Sequence, residues 1–332
     1  MENFWDYSVW SGFNLVAVLL VSLLAANVLK KSIHFLQASL IPASVLGGGI
    51  LIVVAGIYKF ATGEHMFDTA FFGGDGTNTL ELITYHTLAL GFIASAFKPA
   101  KGKLTKKRTV EIFNTGVTTV STYLLQGVFG LAISIVAALV VTDFFPAAGI
   151  LLPFGYGQGT GQALNYGGIF ENDFGFVGGK SFGLTIAALG FLSASIGGVI
   201  HLNIQKKLGR IKITHPEEKA LRSEQIQSDD EIPMQESIDK LTIQIALIAV
   251  AYLLAYLLMV ALGELLPSMK SVIFGFNFLL GVLTATLVKL VMGWLKKKGV
   301  IKKEYTNSFL MTRASNFFFD IMVVAGIAAI RF

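Results

Sequence analysis

Eight stretches of about 20 residues in this chain are almost wholly apolar, and no other feature restricts its fold as much. Wound as a helix, a run of that length matches the ~30 Å hydrocarbon core of a bilayer. The stretches are residues 11–29, 35–58, 80–97, a segment within 110–141, then 181–202, 241–262, 272–295 and 309–330. The expected fold is therefore an all-α integral membrane protein. Only 14% of residues are charged, against about 25% in soluble domains. The net charge of +5 does not indicate nucleic-acid binding, because the basic residues cluster in short loops between apolar segments. The absence of cysteine excludes disulfides and thiolate metal sites. The first apolar stretch has no basic region before it and is followed by Lys30 and Lys31, so it reads as a span rather than a cleaved signal peptide.

Lys and Arg set the orientation. If the first nine residues, which carry neither, lie outside, the odd-numbered loops face the cytoplasm. Those loops hold Lys30 and Lys31, the cluster from Lys98 to Arg108, the group from Lys206 to Lys240, and the five lysines from Lys296 to Lys303. That is 20 of the 26 basic residues, with Lys59, Lys180, Lys270 and Arg331 outside. Residues 210–239 form a charged linker with Pro216 and Pro233, whose acids read as a solvated face.

Between the fourth and fifth spans, glycine occupies every second position from Gly155 to Gly161, with Pro146 and Pro153 ahead. Each glycine costs a helix about 1 kcal/mol relative to alanine. Non-helical backbone survives at membrane depth only where protein buries it or where it lines a cavity. The segment 144–170 is thus expected to be a re-entrant hairpin, entering from the outer side through a short apolar arm at 147–154. The second span, with Pro42 and then Gly47-Gly48-Gly49, is expected to be kinked or partly unwound. Gly197-Gly198 is expected to form a close-packing face in the fifth span.

The third and last spans can be superposed. Residues 89–97 lie on 324–332 at an offset of 235, which also pairs the first span with the sixth and the second with the seventh. An odd number of spans precedes the second unit, so the repeat is inverted, as in secondary transporters. The expected division is a first repeat over 1–209, the linker 210–239, and a partial second repeat over 240–332. The same offset would place a second glycine hairpin near position 390, so the second repeat reads as truncated.

Gly157-Gln158-Gly159-Thr160-Gly161-Gln162-Ala163 resembles the first re-entrant motif, Gly-x-Gly-Thr-Gly-x-Ala, of the bacterial sodium/glutamate symporter family. Ile41-Pro42 with Gly47-Gly48 resembles that family's broken second helix. The likeness extends over the whole chain and about three-quarters of the family's length. It departs at Gln158, where some members carry histidine, and at Ala43 and Ser44, which stand in place of an acid and a second proline. The resemblance implies sodium-coupled uptake of glutamate or a related small carboxylate across the bacterial plasma membrane by alternating access. It implies no cofactor beyond the coupling sodium and no enzyme activity, and it leaves a homodimer open.

On that reading, Gln158, Thr160, Gln162 and Asn165 are the candidate substrate-binding residues, because amides and the free N–H groups that begin a half-helix suit an anion. Gly157 and Gly159, through their carbonyls, are candidate sodium ligands, with the Thr160 hydroxyl and Asp320. Arg313, seven residues before Asp320, is read as snorkelling inward, His86 as a hydrogen-bonded core residue, and Asn114 and Gln126 as inter-helix hydrogen bonds. Enzyme motifs fail: a dinucleotide fingerprint would need glycine where Gln162 stands, and a phosphate loop ending at Lys180-Ser181 would need it at Phe174. A passive channel with the glycine loop as its filter, and a non-transporting membrane remnant or scaffold, are the alternatives.

Overall fold

A computed structural model of the chain describes residues 3–38, 41–98, 105–210, 231–233 and 238–331. Among them eleven α-helices follow one another: α1 Tyr7–Ser32, α2 His34–Ala38, α3 Ala43–Thr62, α4 Gly76–Ala96, α5 Lys106–Val140, α6 Thr160–Phe174, α7 Gly179–Lys207, α8 Lys240–Leu265, α9 Lys270–Gly275, α10 Asn277–Lys297 and α11 Ser308–Ala328. Seven of them, α1, α3, α5, α7, α8, α10 and α11, are long and apolar enough to cross a membrane. The protein is all-helical and of the multi-pass membrane type. The expected third span does form a helix, α4, but Thr77, Asn78, Thr79, Glu81 and Thr84 make its first half polar, and it is not among the seven.

The second span is broken, and the break lies earlier than the glycines. Pro42 caps α3 in an extended conformation, whereas Gly47, Gly48 and Gly49 are helical. A proline donates no hydrogen bond and biases the residue before it away from helix. The triplet serves packing instead: Gly47 faces Ser22 of α1, and a Cβ on Gly48 would sit 2.6 Å from the Ile327 side chain. The seventh span is also interrupted, at Phe276 between α9 and α10.

The chain folds into two compact units. One comprises Met1–Tyr85, Gly102–Lys212 and Asp320–Phe332, the other His86–Lys101 and Ile213–Phe319. They do not follow the two halves of the sequence, because α4 and α11 each contribute to both. In the first unit, α5, α7 and the glycine-rich segment pack through bare backbone. A Cβ on Gly130 or Gly149 would strike the other's carbonyl, and Gly183 and Gly167 lie against the backbones of Ala163 and Gly179. Small residues at helix contacts permit this approach where there is no hydrophobic driving force between helices. The expected close-packing pair Gly197-Gly198 meets nothing within 4 Å; the small-residue face of α7 lies nearer its N-terminus.

In the second unit, Ile93 of α4 and Phe97 just after it share a core with Ile248, Ala251, Ala285 and Met311. Where the linker enters this unit, an expectation fails. Glu231 is not solvated: its Oε2 lies 2.7 Å from the Nζ of Lys240, which is 0% exposed, and accepts a 2.6 Å bond from Asn307 Nδ2. Asp239 caps α8, its Oδ1 accepting from Leu241 N–H at 2.8 Å. A carboxylate beside a helix start is favoured because unpaired amides point there. Residues 211–230 and 234–237, the rest of the expected linker, lie outside the described residues.

Candidate functional site

The glycine-rich segment is built from two unequal arms. The first contains a 3-10 turn at Ala148–Leu151 and a wide π turn at Phe154–Gln158. It is not the regular helix over 147–154 that its apolar residues suggest, because Gly149, Pro153, Gly155 and Gly157 disfavour one. The second arm is α6. Ring pairs align the arms: Phe154 stacks on Tyr166 with centroids 3.7 Å apart, and Phe145 lies 5.7 Å from Phe170.

One residue makes the break. Gly159 has φ 81° and ψ −168°, a region almost restricted to glycine. Gly155 and Gly157 serve proximity: a Cβ on Gly157 would run into the Tyr123 ring, and one on Gly155 would lie 2.6 Å from Ile186. Substituting Gly159 with alanine is expected to cost about 1–3 kcal/mol in strain, measured as a lower unfolding midpoint in detergent; an unchanged midpoint would refute the strained geometry.

Beyond the break, Thr160 is fully buried and its Oγ1 donates to the Met322 carbonyl at 3.5 Å. This approach depends on Gly326, where a Cβ would come within 2.7 Å of the Thr160 Cβ. Gln162, in the first turn of α6, is 2% exposed, and neither its Nε2 nor its Oε1 has a hydrogen-bond partner. A buried amide without partners is costly. Asn165 sits half-buried one turn on.

The remaining candidates are less convergent. Gln158 turns to the other side, half-buried, lining an open groove of about 450 Å³ with Tyr123, Leu124 and Pro153. The Gly157 carbonyl accepts from Tyr123 Oη at 2.9 Å, and the Gly159 carbonyl accepts from Ala163 N–H at 3.1 Å. Each keeps a second lone pair for a cation. Asp320 is exposed and shares a hydrogen bond with the Ser44 hydroxyl, in the first turn of α3. The end of α11 thus touches the starts of two interrupted helices, α3 through Asp320 and Ile327, and α6 through Met322 and Gly326. Both starts present free N–H groups and the positive end of a helix dipole.

Comparison with known proteins finds no matching family model, curated protein or solved structure.

Several positioning residues carry no local signal in the sequence. Tyr123 reaches Gly157 from 34 positions away. Glu81 of α4 holds Lys180 of α7 at 2.8 Å and Arg331 at 4.0 Å, and Glu171 Oε2 accepts from Lys180 N–H at 3.1 Å. Together they tie the end of α6 and the start of α7 to the chain's last residues. His86 is hydrogen-bonded as expected, with Nδ1 2.7 Å from Tyr252 Oη, but it is exposed rather than part of a core. The Gln126 Oε1 is enclosed without a partner.

Proposed function

We propose that this protein is a sodium-coupled symporter for glutamate or a related small carboxylate, working by alternating access in a bacterial plasma membrane with its N-terminus outside. One observation carries the reading. The stretch that resembles the symporter motif forms an interrupted helix at Gly159, and the buried Gln162 amide one turn on has no protein partner. An amide kept dry and unpaired beside a helix start is suited to an anionic ligand. The carbonyls around the break and the Thr160 hydroxyl are the kind of oxygens sodium takes from interrupted helices. The segment 148–174 is read as a re-entrant hairpin, its short arms spanning only part of a bilayer.

The helix boundaries support an inverted repeat. At an offset of 235, α1 falls on α8, the break between α2 and α3 falls on that between α9 and α10, and α4 falls on α11. The division into compact units cuts α4 after Tyr85 and α11 before Asp320, positions that the same offset pairs. Within α4 the chain passes from the first unit to the second, and within α11 from the second to the first, the opposite sense that inverted topology requires.

The test is uptake of labelled glutamate into vesicles reconstituted with the purified chain. An inward sodium gradient is expected to drive accumulation that saturates and shows counterflow. Flux that never saturates would instead favour a channel, and no flux a non-transporting remnant.

A further inference from the structure

At the end of α10 lies a cavity of about 280 Å³, between its last turns and the segment 301–306, wholly within the second unit. Its charged lining among the described residues is Lys289, Lys296, Lys303 and Glu304, three ammonium groups against one carboxylate. Glu304 does not neutralise them. Its Oε2 is 3.7 Å from Lys296 Nζ, and its Oε1 accepts from Thr306 Oγ1 at 3.1 Å. Lys289 Nζ gives one hydrogen to the Lys98 carbonyl at 2.6 Å and keeps two more. Among the described residues, two positive charges thus line the cavity in excess.

The walls are fixed. Ile232 N–H donates to the Glu304 carbonyl at 3.1 Å, and Gln244 Nε2 donates to the Tyr305 carbonyl at 2.8 Å. Both bonds belong to the network of the buried Lys240–Glu231 pair, so the segment that carries Lys303 is held in place and the cavity is preorganised. Gly293 lines the cavity, and a Cβ there would meet nothing within 4 Å.

Position indicates the ligand. Lys296 and Lys297 end a helix apolar enough to span a membrane, and Trp294, with Lys298 Nζ 4.5 Å from its ring centroid, is exposed beside them. Tryptophan and lysine so placed mark the level of lipid head groups. We infer that this cavity binds a phosphate-bearing anion through Lys289, Lys296 and Lys303. Its volume, just under the ~300 Å³ at which small-molecule pockets begin, suits a phosphate with its ester group. Basic pockets at the cytoplasmic end of spanning helices take anionic lipid head groups by the same chemistry.

The experiment is native mass spectrometry of the purified chain, titrated with short-chain phosphatidylglycerol, with phosphatidylcholine, and with inorganic phosphate. One phosphatidylglycerol is expected to bind in preference to phosphatidylcholine. Lys303→Gln, on an exposed side chain, is expected to weaken it about fivefold, the loss of one lysine's attraction. Gly293→Leu, which fills open space, is expected to abolish it. Displacement by millimolar phosphate would identify free phosphate as an equal ligand; resistance to it would identify the lipid. Equal binding of the two lipids with no phosphate bound, or unaltered binding in both variants, would overturn the assignment.

Discussion

Replacing Glu231 with alanine is expected to destabilise the protein by about 3–5 kcal/mol, the usual cost of stranding one member of a buried ion pair. Lys240 is 0% exposed, and the only carboxylate within salt-bridge distance of its Nζ among the described residues is Glu231, whose side chain is 12% exposed. The substitution also takes the acceptor from Asn307 Nδ2, and Asn307 begins α11, its Oδ1 accepting from Leu310 N–H at 2.7 Å. Replacing both partners, Lys240→Met with Glu231→Leu, is expected to restore most of the loss, because apolar residues of similar volume often substitute for a buried pair without penalty. Unfolding midpoints of Lys240→Met, Glu231→Leu and the double variant in one detergent close the cycle. A single variant as stable as the parent would mean that the Lys240 ammonium reaches water.

The second large effect separates function from stability. Gln162→Leu is expected to leave the fold intact or make it more stable, by up to about 1–3 kcal/mol, since it removes a buried amide with no partners. Sodium-driven uptake by the same variant is expected to fall by about 100-fold, because a site built to hydrogen-bond a ligand loses far more than a methylene's worth of affinity when the polar group goes. Uptake and unfolding are measured on one preparation. A more stable variant with unchanged uptake would show that Gln162 is an orphaned group in the packing and that the ligand binds elsewhere.

The parts of this protein that were legible in advance are those decided within a few residues. The interruption near Pro42 follows from proline's missing N–H, and one within the run from Gly155 to Gly161 from glycine's cost to a helix. The interruption at Phe276 was not legible, because a single Gly275 before it is a weak local signal. Sequence could not assign separate tasks to glycines that look alike. Gly155 and Gly157 exist for close approach and Gly159 for its dihedral angle, and that difference depends on Ile186 and Tyr123 from other helices. Glu231 was misread for the same reason. In a charged linker an acid is ordinarily solvated, and only the folded position of Lys240 and Asn307 makes it a buried partner.

The sequence by itself determined that the chain is all-helical, that most of its helices are bilayer-long, and that its backbone departs from a helix near Pro42 and within the run from Gly155 to Gly161. Apolar length and the dihedral preferences of proline and glycine are properties of short segments, independent of what they later touch. Tertiary structure alone decided which groups are paired and which are left alone. The meeting of Thr160 with Met322, the closeness allowed by Gly326, and the isolation of the Gln162 amide all join parts of the chain far apart in sequence. Burial and hydrogen bonding at such distances are set by packing, which no local pattern encodes.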